Sequence, residues 1–98
     1  MYIVRDIFHL KFGHYKEAKS LFDDAATKKL MPNTENFKLF TDFTGDAYRL
    51  IFEQGFDSLA DYEKFLQESM GKNEWKDWYE KFKQQVNSSY REILKQVM

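Results

Sequence analysis

The stretch that decides the fold is residues 36–56, NFKLFTDFTGDAYRLIFEQGF. Its two apolar halves flank Gly45-Asp46, a dipeptide of the kind that forms tight turns between antiparallel strands. In the second half the side chains alternate with a period of two, which is typical of a strand. The alternating sets are Tyr48, Leu50 and Phe52 on one parity and Arg49, Ile51 and Glu53 on the other. Residues 36–56 therefore predict a β-hairpin.

The residues before the hairpin predict a strand followed by a helix. Residues 2–12 alternate in the same way as the hairpin, and Gly13 follows them. From residue 14 to about residue 30, apolar side chains recur at steps of three and four, which indicates one buried face of a helix. That face consists of Tyr15, Ala18, Phe22, Ala25 and Ala26. Residues 28–35, which include Pro32, predict a loop.

Two further helices are predicted after the hairpin. Ser58 offers a hydroxyl to an unpaired amide at the start of the first helix, and Gly71 marks its end. Asn73 is predicted to cap the second helix. The apolar faces are Leu59, Tyr62, Phe65, Leu66 and Met70 on the first helix, and Trp75, Trp78, Tyr79, Phe82 and Val86 on the second.

The last ten residues allow two interpretations. The helical stripe can continue to Val97, but residues 87–89 are poor helix formers and residues 91–97 also alternate like a strand. Periodicity alone does not choose between a strand and a helix for residues 90–97. We favour a strand because it completes the order β-α-β-β-α-β. The prediction is a single α+β domain over residues 1–98, in which helices cover one face of an antiparallel sheet.

Composition and charge exclude several classes of function. The net charge of -1 gives no attraction to nucleic acid or to an anionic membrane. The chain has no cysteine, which excludes disulfides and thiolate chemistry. No apolar run is long enough to span a membrane, and the charged residues near Met1 do not resemble a signal peptide. We therefore expect a cytoplasmic protein without nucleic-acid or membrane partners.

The alternation of the strands indicates that the uncovered face of the sheet has a partner. Apolar residues occur on both parities of the strands, whereas a sheet that is solvated on one face should alternate more cleanly. The three arginines, Arg5, Arg49 and Arg91, all lie on predicted strands, and arginine tolerates interfaces better than lysine does. Asp42 and Glu53 are available as counter-charges. We expect a homodimer in which this face meets a second copy of the chain.

A family resemblance supports this arrangement. Residues 10–13 (LKFG), residues 53–59 (EQGFDSL) and the segment from Trp75 to residues 91–94 (REIL) resemble the dimeric α/β-barrel superfamily of ferredoxin-like domains, and NIPSNAP-type members in particular. The NIPSNAP pattern usually has a proline where Phe12 stands. The resemblance implies a homodimer with facing sheets and a fourth strand at residues 91–97. It does not imply one chemistry, because relatives include monooxygenase-like proteins, isomerases and members with no known role.

The candidate site residues share what we take to be the uncovered parity: Arg5, His9, Arg49, Glu53 and Arg91. They predict a pocket for a small hydrophobic ligand, lined by aromatic side chains and few charges. His9 and Glu53 are weak candidates for catalytic acid–base groups, and the favoured alternative is that Glu53 neutralises Arg5 or Arg49 within the sheet. Two histidines without a third ligand do not predict a metal site, and nothing predicts a cofactor.

Two classes of function follow from the sequence. The first is a homodimeric ligand-binding or structural module without catalysis. The second is a cofactor-free enzyme, similar to a monooxygenase or an isomerase, that acts on a small hydrophobic substrate in the sheet cavity. A cavity on which His9 and Glu53 converge favours the enzyme, whereas a cavity filled by side chains favours the module.

Overall fold

The computed structural model describes residues 1–27, 37–45, 48–70 and 72–98. Its elements are β1 (Tyr2–Leu10), α1 (Tyr15–Thr27), β2 (Lys38–Thr41), β3 (Arg49–Phe56), α2 (Leu59–Met70), α3 (Asn73–Lys83) and β4 (Val86–Lys95). The four strands form one antiparallel sheet in the order β2-β3-β1-β4. The predicted α+β fold and the predicted hairpin are confirmed. The loop predicted at 28–35, Asp46 of the turn and the helix stop at Gly71 lie outside the described residues.

The uncertain last segment is a strand. β4 pairs antiparallel with β1, so the helix of α3 ends at Lys83 and the strand begins at Val86. Residues 87–89, the poor helix formers, are part of β4. His9 pairs with Ser88 and Leu10 pairs with Val86, which leaves Asn87 as an extra residue at a shift of register. A bulge of this kind accommodates a residue with low strand propensity because that residue is left out of the ladder.

The core lies between the sheet and the helices. Phe22 of α1 is at its centre, with ring contacts to Phe8, Phe52, Trp78 and Phe82 at centroid distances of 5.1 to 6.5 Å. Aromatic pairs at such distances stabilise a core by about 0.5–1.5 kcal/mol beyond the burial of their area. The Trp78 indole N–H donates to the carbonyl of residue Leu21 at 2.6 Å, which satisfies the one polar atom of that ring. Phe22, Trp78 and Phe82 of the predicted apolar faces are therefore in the core, whereas the predictions for Ala26, Leu59 and Tyr79 are wrong because these residues are exposed.

Two helix starts differ in how they are capped. The Ser58 hydroxyl accepts a hydrogen bond from the Asp61 amide at 3.1 Å, as predicted for a capping residue. The prediction that Asn73 caps α3 is wrong. Lys72 is the N-cap residue and makes no side-chain cap bond, while Asn73 is already inside the helix. Glu74 in the first turn still places a carboxylate near the positive end of the helix.

Gly13 is the glycine on which the first connection depends. Its φ of 79° lies in the left-handed region that other residues adopt at a cost. Strand β1 ends three residues earlier, at Leu10, so Phe12 belongs to the connection and is 84% exposed. Within the described residues, no helix is both long enough and apolar enough to cross a membrane.

Candidate functional site

A cavity of about 320 Å³ lies between the sheet and helices α2 and α3. Its walls are mostly aromatic and aliphatic: Phe8 and Phe52 come from the sheet, Phe65 and Leu66 from α2, and Trp75 and Trp78 from α3. The helical period aims these side chains of α2 and α3 at the sheet, but the helices do not fill the space between them. An apolar concavity with a few polar groups is the usual form of a small-molecule site.

Two polar side chains inside this cavity have unsatisfied atoms. Among the described residues, Gln54 Nε2 and the Tyr62 hydroxyl are buried and make no hydrogen bond of normal length and angle, although Arg91 lies close enough to the Tyr62 oxygen to favour its ionised form. Gln54 is 1% exposed and Tyr62 is 8% exposed, so both polar groups have been taken out of bulk water. Burial also raises the pKa of the Tyr62 hydroxyl, against the opposing effect of the Arg91 charge, so the hydroxyl stays protonated.

One ion pair stands at the side of the cavity. Arg91 Nε on β4 donates to Asp6 Oδ1 on the neighbouring strand β1 at 2.5 Å. The Arg91 guanidinium also lies 5.8 Å from the centroid of the Tyr62 ring, within the range of a cation–π contact. Partial burial works to lower the pKa of Arg91, but the hydrogen bond and the charge of Asp6 outweigh it and raise that pKa. The pair is therefore ionised and neutral in sum.

The outer face, which is the face of the sheet opposite the helices, carries most of the predicted site residues. Arg5 donates two hydrogen bonds to Glu53 Oε2, at 3.0 and 3.1 Å. Glu92 lies 3.6 Å from the same guanidinium. Glu53 therefore neutralises Arg5, which was one of the alternatives predicted for it. Glu53 and His9 do not line the cavity.

A second charged group lies further along the outer face. Arg49 donates to both carboxylate oxygens of Asp42, at 2.8 to 3.2 Å. These hydrogen bonds from Arg49 hold the pKa of Asp42 below its ordinary value of 3.8. His9 pairs with Arg49 across the ladder, and its ring lies 5.9 Å from that of Tyr90.

The expectation that Arg91 shares a face with the other arginines is wrong. Arg91 pairs with Asp6, whereas Arg5, on the opposite parity, pairs with Glu92. The structure thus brings Arg5, Glu53, His9 and Arg49 to the outer face and puts Arg91 beside the cavity. The reason is that β4 is an edge strand that is largely exposed on both parities, so its alternation carries no signal of which side faces the helices.

Three residues of the cavity lining were not predicted as site residues from the sequence: Asp6, Gln54 and Tyr62. A signal was present for two of them. Gln54 shares its parity with Leu50 and Phe52 on a central strand, and Asp6 shares its parity with Val4 and Phe8. A polar residue on the buried parity of a central strand is uncommon enough to indicate a special role. Tyr62 gave no such signal because it belongs to the ordinary apolar stripe of α2.

Comparison of the chain with known proteins identifies solved structures that have the same fold. No model of a protein family matches the chain, and no curated protein matches it. A NIPSNAP family protein from Agrobacterium tumefaciens superposes with a TM-score of 0.85 at 19% identity, covering 95% of this chain and 82% of that chain. A NIPSNAP-like domain protein from Burkholderia xenovorans gives a TM-score of 0.87 at 16% identity, covering 98% and 84%.

A third solved structure connects the chain to a second group. A protein described as an antibiotic biosynthesis monooxygenase superposes with a TM-score of 0.74 at 13% identity, over 100% of both chains. Another NIPSNAP family structure from Agrobacterium tumefaciens is described as having unknown function. At these identities the likeness concerns architecture alone. The chain has the ferredoxin-like α+β fold that these NIPSNAP and monooxygenase structures share.

Proposed function

We propose that this chain is a homodimeric protein of the NIPSNAP-like type that binds a small molecule in the cavity between its sheet and helices α2 and α3. The observation that carries the proposal is the Gln54 amide, which is 1% exposed and has an unpartnered Nε2 at an aromatic cavity. A ligand that accepts a hydrogen bond from Gln54 would satisfy this atom.

The buried Gln54 amide lowers the stability of the fold when its N–H₂ group has no hydrogen-bond partner. A buried donor without a partner costs about 1–3 kcal/mol, and native proteins keep few of them. Sequences that bury such a group in a central strand usually do so for a purpose, since Leu at the same position would pack there without the penalty. The Tyr62 hydroxyl repeats the same situation on the opposite wall of the cavity, from helix α2. Two unsatisfied groups at one cavity support a ligand more strongly than either does alone.

The homodimer is supported by the pattern of the outer face. Four apolar residues form one continuous row across the sheet: Phe40, Ile51, Ile7 and Tyr90. Phe40 and Tyr90, at its two ends, are 46% and 49% exposed. Ile7, between them, is 3% exposed, so the aromatic rings at the two ends provide much of the apolar surface that a partner would cover.

The charges beside this row favour a second copy as the partner. The next row across the sheet alternates in sign, from Lys38 to Glu53, Arg5 and Glu92. A surface that carries both signs in alternation can complement itself when a two-fold axis brings it against an identical surface. A partner of one charge sign would not be complementary to this row.

The geometry favours binding over the enzymatic alternative. The two acid–base candidates, His9 and Glu53, belong to the outer face, and Glu53 is held by Arg5 at 3.0 Å. Neither side chain lines the cavity. The monooxygenase name of one structural neighbour therefore does not supply a mechanism for this chain. A cytoplasmic location belongs to the same proposal, and fractionation of cells that produce the tagged chain tests it.

Filling the cavity tests the binding function. Leu66→Trp on α2 should occupy the cavity, whereas Leu59→Trp on the same helix adds an equal ring at a position that is 48% exposed and outside the lining. The measurement is the fluorescence of Nile red, a neutral apolar dye, titrated with each folded protein. We expect wild type and Leu59→Trp to bind the dye and Leu66→Trp to lose at least about tenfold in affinity.

Equal dye binding by all three proteins would contradict the proposed site. If Leu66→Trp does not fold, Ser89→Phe fills the cavity from strand β4 and provides the same comparison. Circular dichroism of each variant separates loss of fold from loss of binding.

A further inference from the structure

One wall of the cavity consists of aromatic side chains from α3. Trp75 and Trp78 are stacked at a centroid distance of 5.1 Å with planes 29° apart, and Phe82 continues the stack at 5.0 Å and 9°. All three residues belong to the lining of the cavity. Aromatic side chains gain most from aromatic partners, because offset and edge-to-face contacts add to the burial of area. Trp78 and Phe82 are 5% and 1% exposed, so the surface that this wall offers to a ligand comes from Trp75 and Tyr79, and an aromatic ring system is the ligand that packs best on them.

The electrostatics of the cavity oppose a charged ligand. Among the described lining residues, Asp6 and Arg91 are the ones with a formal charge, and they pair with each other. An anionic ligand would meet the Asp6 carboxylate beside Arg91, and a cationic ligand would meet the Arg91 guanidinium beside Asp6. Either ion would lose its hydration without gaining a free counter-charge, which is costly in an apolar site.

The polar groups of the cavity determine what the ligand must carry. Gln54 Nε2 is an amide N–H₂ group, which can only donate. The protonated Tyr62 hydroxyl can also donate. The unpartnered Gln54 donor therefore requires a hydrogen-bond acceptor on the ligand, and a carbonyl oxygen accepts without needing a partner for a proton of its own.

We infer that the cavity selects an uncharged aromatic ring system that carries a carbonyl group, the oxygen of which accepts from Gln54. This inference rests on the proposed binding function and adds the chemical class of the ligand. It assigns Gln54 as the residue that distinguishes an aromatic carbonyl compound from an unsubstituted arene. It assigns the Asp6–Arg91 pair to the exclusion of charged analogues.

Three probes of one ring size test the inference. They are 2-acetonaphthone, which is neutral with a carbonyl group; naphthalene, which lacks it; and 2-naphthoate, which replaces it by a carboxylate. Isothermal titration calorimetry with the full chain measures the affinity of each. We expect 2-acetonaphthone to bind about tenfold more tightly than naphthalene, as one added hydrogen bond to a buried donor allows. We expect 2-naphthoate to bind more weakly than 2-acetonaphthone by a similar factor.

A variant assigns the preference to Gln54. In Gln54→Leu the advantage of 2-acetonaphthone over naphthalene should shrink to about twofold or less, while naphthalene binds at least as well as it does to wild type. Tyr62→Phe should leave the same advantage in place, because Gln54 keeps its amide. The readout is the ratio of the affinities of 2-acetonaphthone and naphthalene for the same variant. A general change in the fold affects both affinities and therefore largely cancels in the ratio. If the variants do not fold, the comparison of the three probes with wild type decides the inference alone.

The possible failures are distinguishable. Equal binding of naphthalene and 2-acetonaphthone, or tightest binding of 2-naphthoate, would overturn the ligand class and leave the binding function standing. Binding of none of the three probes also overturns the class when Nile red still requires the cavity. If Nile red binding survives Leu66→Trp as well, the proposed binding function itself is overturned.

Discussion

Gln54 illustrates how one residue can oppose stability and support function. A central strand of a two-layer sandwich normally presents apolar side chains to the helices, and Leu50 and Phe52 of β3 do so. Gln54 continues that parity with an amide that is 1% exposed. The amide weakens the isolated fold and becomes favourable once an acceptor enters the cavity. Trade-offs between stability and binding of this kind are common at functional sites.

The first prediction concerns the stability of a Gln54 variant. Gln54→Leu should raise the free energy of unfolding by about 1 kcal/mol, because it removes an unpaired buried donor and keeps the volume. Urea denaturation of the ligand-free protein measures the change. Gln67→Leu makes the same substitution at an exposed position of α2 and should change stability by less than about 0.5 kcal/mol. A loss of stability in Gln54→Leu would show that the amide is satisfied in the free protein.

The second prediction concerns the pH dependence of the Asp42–Arg49 pair. Because hydrogen bonds from Arg49 lower the pKa of Asp42 from 3.8, the ionised carboxylate is favoured in the folded state. Its contribution to stability is complete above the unfolded pKa and is lost as the pH falls through the folded pKa. Asp42→Asn should therefore be less stable than wild type at neutral pH, and the difference should shrink below pH 3.8.

Urea unfolding of both proteins along a pH series checks this expectation. Asp77→Asn, at an exposed position of α3, controls for the general effect of removing one negative charge. A difference between wild type and Asp42→Asn that grows toward acid would contradict the assigned sign.

At the scale of the elements, local chemistry explains where the helices begin. Ser58 and Asn73 both looked like capping residues in the sequence, yet only Ser58 accepts a bond from the backbone. The chain reaches α3 through Lys72 in an extended conformation, with φ of -81° and ψ of 137°, so the cap position falls one residue earlier than expected. Helix boundaries shift by a residue or two in this way because neighbouring helices restrict the path of the connection.

The third prediction compares these two helix starts. Ser58→Ala should lower the free energy of unfolding by about 1 kcal/mol, because the Asp61 amide loses its acceptor. Asn73→Ala should leave stability unchanged or raise it slightly, since Ala is the better helix former inside α3. Urea denaturation of both variants measures the difference. Equal losses for the two substitutions would mean that Asn73 also contributes a cap.

Strand β4 shows the limit of a single strand's pattern. Its residues alternate, but it lies at the edge of the sheet and much of it is exposed on both sides. The alternation therefore identified a strand without showing which parity faces the helices. Pairing with β1 settles the orientation, because Asp6 and Arg91 are directly opposite each other in the ladder. The assignment of Arg91 to the cavity depends on that pairing.

At the scale of the whole molecule, two surfaces remain to be occupied. The cavity lies on the helix side of the sheet and the apolar row lies on the outer face, so of the four residues in the row only one also lines the cavity. Tyr90 belongs to both, since it lies in the apolar row and also borders the cavity. A dimer that orders Tyr90 would thereby affect one wall of the binding site.

The fourth prediction concerns the dimer. A protein of 11.9 kDa should sediment as a species of twice that mass at micromolar concentration. Phe40→Lys places a charge in the apolar row and should weaken self-association by at least about tenfold. Phe43→Lys makes the same substitution two residues beyond the end of β2, where the side chain is fully exposed, and should leave the dimer intact.

Sedimentation equilibrium of the three proteins separates these outcomes. A wild-type monomer throughout the concentration range would contradict the proposed dimer. Equal weakening by both lysines would place the interface at the end of the hairpin instead of on the outer face.

The sequence by itself determined the order of the elements and most of the core. Period-two and helical patterns are local, so they identify β1, the hairpin and the helices, and they mark Phe22, Leu50 and Phe82 as buried. Apolar residues on both parities also led to the outer face, and the strand parity grouped Arg5 with Glu53. These features follow from burial along one element, which the spacing of side chains records directly.

Only the tertiary structure decided where the cavity lies and which residues surround it. Asp6 and Arg91 are 85 positions apart, and Gln54 and Tyr62 line the same cavity from β3 and α2. Whether two helices fill the space above a sheet depends on the shapes of side chains from six elements at once, and no local period encodes that combination. The last strand was likewise decided by its partner, since pairing with β1 selects a strand over a helix for residues 90–95.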